Sequence, residues 1–365
     1  MRALSSWMFS LVMVSAACGP AGRNGVAGSP DMSLEGSNPL PSVPGDVNAD
    51  NDADGYSYAQ GDCNDSDPLV NPGAAEVAGN KIDDNCNGVV DEDSTACDDG
   101  TLVGKTDGPS LAQALGLCDF VESASFTGPS NVKARAILPK FGILPTQQGK
   151  TMILLSNGIA ADKNSPNFSD PEEGTDFSNM YVNPEPKLVA AADCGSKQPT
   201  EVHDYTEFVL KMKAPTNAKS FSFQFQFFSA EYPEFVCTEF NDEFLVEMES
   251  ANEYATRTNI SFDMMKNPVT VNNGFFSVCK NSAGNAHTQN CTKPVSQIAE
   301  TGYGDNEQGG STGWLQTTAP VTPGEEFVLH FIIFDEGDGI LDSAALIDNF
   351  QWSLNGSTGP STTIF

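Results

Sequence analysis

The chain carries one segment whose phenylalanines recur at every second position. Phe221, Phe223, Phe225 and Phe227 alternate with Ser222, Gln224 and Gln226. That period of two puts the rings on one face of a β-strand. Leu346, Phe350, Trp352 and Leu354 keep the same alternation further on. Phe327 to Phe334 is instead a nearly continuous apolar run, the pattern of a strand covered on both faces. Further strands are predicted at Thr151–Ser156, Glu207–Met212, Glu243–Met248 and Phe275–Cys279, with Gly, Pro and Asn between them. One short helix is predicted over Pro109–Leu117. With about eight to twelve strands and little helix, the fold class is mainly β, a jelly-roll-like β-sandwich over residues 97–365.

The segment before it has a different texture. Within residues 46–96, oxygen-bearing side chains sit at alternate positions and each run ends on glycine. Asp50, Asp52 and Asp54 lead into Gly55; Asp83, Asn85 and Asn87 lead into Gly88. Asp62, Asn64, Asp67 and Glu76 lie between the two runs, and Asp91 follows the second. Alternate residues of a tight loop point inward, and glycine takes the sharp turn. Such a set suits a hard, oxygen-seeking cation, and Ca2+ is the expected cofactor. Val89 would ligate through its carbonyl, and Val90 would anchor the loop from behind. Neither run carries a Glu at its twelfth position, so neither is a standard EF-hand.

Charge sharpens this picture. The net charge is −31, and residues 46–99 hold fifteen Asp or Glu against Lys81. Two carboxylates about 5 Å apart in water repel by roughly 0.8 kcal/mol, so this segment stays compact only with cations. A solvated, disordered acidic face is the bland alternative; the periodic spacing and the cysteines argue for order. The absence of a basic patch excludes a nucleic-acid partner held by its phosphates.

At the start, Met1-Arg2 is followed by apolar Trp7 to Val14 and then by Ser15, Ala16, Ala17 and Cys18. The run is too short to span a bilayer. It resembles a bacterial lipoprotein signal over residues 1–18, which implies lipidation of Cys18, a membrane anchor there, and an outer-membrane or cell-surface location. An ordinary secretory signal is the alternative; both export the protein. Residues 19–45, rich in Gly, Pro, Ser and Asn, form a flexible tether.

Eight cysteines remain: Cys63, Cys86, Cys97, Cys118, Cys194, Cys237, Cys279 and Cys291. An even number in an exported chain, with no C-x-x-C pair, reads as disulfides. Eight cysteines allow 105 pairings. The expectation is pairing of sequence neighbours, Cys63–Cys86 foremost, because both lie in the acidic segment. The result is a small disulfide-closed calcium-loop module ahead of the sandwich.

Two resemblances follow. Residues Gly61 to Glu92 resemble the acidic metal-binding repeat of exported myxobacterial proteins, whose namesake is linked to copper. Copper favours imidazole or thioether ligands, and this stretch has no His or Met. ILLSNG (Ile153–Gly158), FFSAEYPEFV (Phe227–Val236) with FNDEF (Phe240–Phe244), and DSAALIDNF (Asp342–Phe350) resemble the choice-of-anchor L domain of bacterial surface proteins. That resemblance implies a surface location and a sandwich, and leaves the ligand open. Glu231, Asp242 and Asp348 fall in those three stretches, and with the turn residues Asp335, Glu336 and Asp338 they are candidates for a second, buried calcium. Capping of loops by the same carboxylates is the structural alternative.

Catalytic signals are weak. Gly309–Gly313 fits G-x-S-x-G, yet its flanks read as loop, and His330 is the sole His after Ser311. His330 sits within an apolar strand, as a packed core His does. Trp314 and Tyr303 are candidates for a sugar-stacking face, against the plainer role of plugging the sandwich. The expected function is a non-enzymatic calcium-binding surface module for adhesion, matrix contact or ligand binding, with a surface glycan or protein as partner. The alternatives are a secreted hydrolase using sandwich carboxylates and a copper-acquisition protein.

Overall fold

A computed structural model describes residues 46–184 and 199–365, apart from 239, 253, 273, 281–290 and 305–307. Cys18, Cys194, the signal and the tether lie outside the described residues. Among the described residues no helix is long and apolar enough to cross a membrane.

The strands are β1 (Val121–Thr127), β2 (Arg135–Leu138), β3 (Lys140–Phe141), β4 (Leu144–Pro145), β5 (Met152–Ser156), β6 (Met180–Val182), β7 (Glu201–Lys213), β8 (Ser220–Ser229) and β9 (Glu243–Ser250). They continue with β10 (Thr258–Asn259), β11 (Val269–Thr270), β12 (Val278–Cys279), β13 (Gly310–Ser311), β14 (Leu315–Pro320), β15 (Glu326–Asp335), β16 (Ser343–Ser353) and β17 (Ser361–Ile364). One sheet runs β1-β7-β15-β9-β10, with β6 on β7 and β11 on β9. The other runs β12-β13-β8-β16-β5-β2, with β14 on β8 and β17 on β14. All pairings between strands are antiparallel. Consecutive long strands alternate sheets: β7 and β15 pair in one, β8 and β16 in the other. This is the interleaved path of a jelly-roll-like sandwich.

The core between the sheets is aromatic. Phe221, Phe223, Phe225 and Phe227 of β8 are fully buried against Phe208 and Met212 of β7 and Phe327 and Phe331 of β15. The Phe221 and Phe327 rings stack at 5.6 Å, and Phe223 meets Phe331 edge-on at 5.3 Å. Burying each such side chain contributes about 1.5–3 kcal/mol. The outer faces are covered too. Tyr205, Leu245, Ile332 and Phe334 form a cluster behind one sheet. Met152, Leu154, Phe228 and Leu346 form another behind the second. That double cover is why β15 is apolar without alternation.

The predicted helix is Gly108–Ala114, with Pro in its first turn and Asp107 as its cap, accepting from Ser110 N–H at 3.0 Å. Phe275–Cys279 keeps strand geometry only at Val278–Cys279. The edge strands β1, β2 and β6, and the internal strand β14, carry no strong apolar alternation, and the sequence pattern did not single them out.

Three disulfides pair sequence neighbours: Cys63–Cys86, Cys97–Cys118 and Cys279–Cys291. Cys237 is also disulfide-bonded. Pro44 to Phe365 is one compact unit, so the acidic segment and the sandwich pack together. Asn217, in the β7–β8 turn, accepts from Ala75 N–H at 2.9 Å and donates to the Ala75 carbonyl at 2.8 Å. Thr216 donates its N–H to the Gly73 carbonyl and its hydroxyl to Asn71.

Candidate metal centres

The acidic segment contains turns and one 3-10 turn at Tyr58–Gln60, so its shape comes from side chains. Asp50 accepts from Ala53 N–H at 2.7 Å and Gly55 N–H at 3.0 Å. Gly55 has φ +98, a conformation that favours glycine. Asp54 accepts from Tyr56 N–H at 2.8 Å, and Asp62 from Asn64 N–H at 2.8 Å. Each of these bonds uses one carboxylate oxygen. The other oxygens of Asp52, Asp54 and Asp62 are buried and have no hydrogen-bond partner. The three carboxylates present oxygens within 4.8 Å of one another, and Asp50, Asp52 and Asp65 form a second, overlapping group. Burial, followed by nearby like charges, raises the Asp52 and Asp62 carboxyls, Asp62 to about 6. A cation at this point would supply the missing counter-charge.

Asp65 was not expected here. It reaches back across the segment to accept the N–H of Asn51 at 2.8 Å. No spacing rule signals it, because the contact is made by the fold of the chain.

The second loop is arranged differently. Both oxygens of Asp83 take backbone N–H groups, from Asn87 at 3.0 Å and Gly88 at 2.8 Å. Glu76 likewise accepts from Asn85 and Asp91 N–H groups at 3.0 and 3.1 Å. The amides of Asn85 and Asn87 donate to Glu92, whose second oxygen is buried and unpartnered. Asp91 accepts from Gly79 and Lys81 N–H groups, Asp67 from Leu69 N–H and Asn64 from the Ser66 hydroxyl. These residues turn the chain, and among the described residues they do not join a three-carboxylate group.

A third group lies inside the sandwich. Glu231 follows β8, Asp242 precedes β9 and Asp335 closes β15. All three are buried and present oxygens within 4.8 Å of one another. Burial and mutual repulsion push Glu231 and Asp335 well above the ordinary carboxyl range. Burial pushes Asp242 up to about 7 and Glu336, beside it, to about 8. At this spacing and an effective dielectric of about 20, each ionised pair repels by about 3 kcal/mol. Three such pairs rival the whole stability of a typical domain, about 5–15 kcal/mol, so the group cannot carry three charges without a counter-ion.

Asp348 does not belong to this group. Its carboxylate accepts from Gln147 N–H at 2.6 Å and Gln148 N–H at 3.3 Å, pinning that loop. Asp335 takes its place. Asp335 was already among the candidate turn residues, as the first polar residue after the apolar run of β15.

The remaining sites are plain packing. Ser311 is buried in β13, its Oγ accepting from Gln226 at 2.7 Å. His330 lies in the other sheet with Nδ1 2.7 Å from Glu207. Tyr303 is buried against Phe228, and Trp314 packs on the same cluster.

Residues 112–351 match the family model of the choice-of-anchor L domain. The chain belongs to the choice-of-anchor L family. Residues 62–92 match the model described as "Putative metal-binding motif". No curated protein matches the chain. Among solved structures it is similar to the K2 cleaved adhesin domain of Lys-gingipain, with 12% identity, a TM-score of 0.27, and coverage of 64% of this chain and 89% of that one. A choice-of-anchor L domain behind a metal-binding motif points to a non-catalytic module at the cell surface.

Proposed function

We propose that this protein is a calcium-binding surface lipoprotein, anchored through Cys18, whose choice-of-anchor L sandwich binds a surface glycan or protein without catalysis. The acidic motif is its calcium-set base. The carrying observation is the convergence of unpartnered, buried oxygens from Asp52, Asp54 and Asp62. Every donor there is a carboxylate, the ligand chemistry of calcium rather than copper. The docking of Asn71, Gly73 and Ala75 on the β7–β8 turn then passes the shape of the motif to the sandwich.

The test is calorimetric titration of the full chain with calcium, magnesium and copper, before and after Asp52→Asn with Asp54→Asn. Calcium binding at about 10⁻⁴ to 10⁻³ M, weakened tenfold or more in the variant, supports the reading. Tight copper binding without calcium binding overturns it. Labelling with a radioactive fatty acid, lost in Cys18→Ala, tests the anchor.

A further inference from the structure

The choice-of-anchor L sandwich holds a group of carboxylates that the acidic motif does not account for. Asp242 is fully buried, and its two oxygens differ. Oδ2 accepts from Asn157 Nδ2 at 2.7 Å. Asn157 is itself fixed, because its Oδ1 accepts from Ser343 N–H at 2.6 Å. The other oxygen, Oδ1, is sealed from solvent and has no partner. Asp335 Oδ1 is in the same condition. Glu231 closes the group, with one oxygen accepting the Asp242 N–H at 3.2 Å. None of the three has a Lys or Arg partner among the described residues.

A buried carboxylate oxygen without a partner costs several kilocalories unless something satisfies it. Two of them, in a group of three acids, require either shared protons or a cation. Backbone and amide contacts already hold Glu231 and Asp242 in place, so most of the arrangement is built before any ligand arrives.

We propose that Glu231, Asp242 and Asp335 form an interior site for a divalent cation of the calcium class, which ties the two sheets together. Glu231 follows β8 of one sheet, while Asp242 immediately precedes β9 and Asp335 ends β15 in the other. The ion bridges β8 to the paired strands β9 and β15, with which β8 shares no backbone ladder. Its oxygen-only donors exclude soft metals. Its enclosure separates it from the acidic motif: exchange is slow here and fast there.

Metal content of the purified full chain, measured by plasma mass spectrometry after dialysis against calcium, tests the site. Asp242→Asn with Asp335→Asn should lose one equivalent and keep those of the motif. Asp52→Asn with Asp54→Asn should keep the interior equivalent, so failure of the motif reading and failure of this one are distinguishable. An unchanged count in the interior variant overturns the proposal. Should that variant not fold, wild-type crystals soaked in calcium or terbium decide. An anomalous peak among the three carboxylates supports the site, and a clean map there overturns it.

Discussion

Asn217 grips the peptide of Ala75 from both sides, accepting its N–H at 2.9 Å and donating to its carbonyl at 2.8 Å. The two residues stand 142 positions apart. The contact mimics one rung of a β-ladder and joins the acidic motif to the sandwich. A module that ended at residue 96 and hung free would need no such rung.

Replacing Asn217 with Ala therefore leaves both groups of Ala75 without this partner. The cost should be about 1–3 kcal/mol, read from urea unfolding of the full chain. Limited proteolysis should cut within residues 46–96 sooner than in the wild type. Unchanged cleavage would show that the other contacts of this face, Thr216 with Asn71 and Gly73, hold the motif without it.

Calcium removal should loosen the same segment. At 100-fold saturation one site adds about 2.7 kcal/mol of folded-state stability by mass action. Chelator should lower the melting temperature and open residues 46–93 to protease, and added calcium should restore both. An identical melting curve with and without chelator would sink the idea that calcium shapes the segment.

The sequence pattern disclosed the long strands and the alternating acids because both follow local periods. Phe221 to Phe227 and Asp50 to Asp54 each declare one inward face. Partners made by chain reversal leave no period. Asp65 meets Asn51 from across a loop, and Asp335 meets Asp242 from another strand. Asp348 had the composition of a ligand and the position of a cap. Only the path of the Gln147 loop decides between them. Short edge strands such as β6, three apolar residues all exposed, are too short and unalternating to declare a face.

The disulfide Cys63–Cys86 closes a loop across a separation of 23 residues. The loop-entropy model assigns such a bridge roughly 3 kcal/mol. Cys63→Ser with Cys86→Ser should destabilise the full chain by that order in urea, and saturating calcium should recover part of the loss. No loss of stability would mean that metal and docking contacts already restrict the unfolded segment as much as the bridge does.

Glu207 gives the protein an acid-sensitive joint. Burial alone would raise its carboxyl, but the hydrogen bonds from His330 and Thr127 and the charge of Arg257 outweigh burial and hold it down at about 2. A depressed folded value means that the stabilisation is fully present above about pH 4.5. It is lost as pH falls toward 2. The difference corresponds to about 3 kcal/mol. Glu207→Gln should lower stability at pH 7 by that order and flatten the stability profile between pH 4.5 and 2. A parallel acid limb in wild type and variant would remove Glu207 from the explanation.

The turn after β5 and the turn before β16 meet closely at Gly158 and Asp342. Gly158 ends β5's stretch where a Cβ would lie 1.9 Å from Oδ2 of Asp342. Asp342 cannot simply swing aside, because its carboxylate accepts from Thr175 N–H at 2.8 Å and its own N–H donates to the Pro171 carbonyl at 3.0 Å. Gly158→Ala must therefore displace either β5's end or the loop around Thr175. Overpacking of this kind typically costs about 1–3 kcal/mol. Asp342→Asn keeps the acceptor oxygen, and burial already pushes the Asp342 carboxyl up to about 7, so that variant should be nearly neutral at pH 7. Asp342→Ala removes the clashing Cγ and carboxylate oxygens. Combined with Gly158→Ala it should cost less than the sum of the two single changes, measured as a double-mutant cycle by urea unfolding. Strict additivity would mean that the added methyl group finds room elsewhere and that Asp342 does not set the limit.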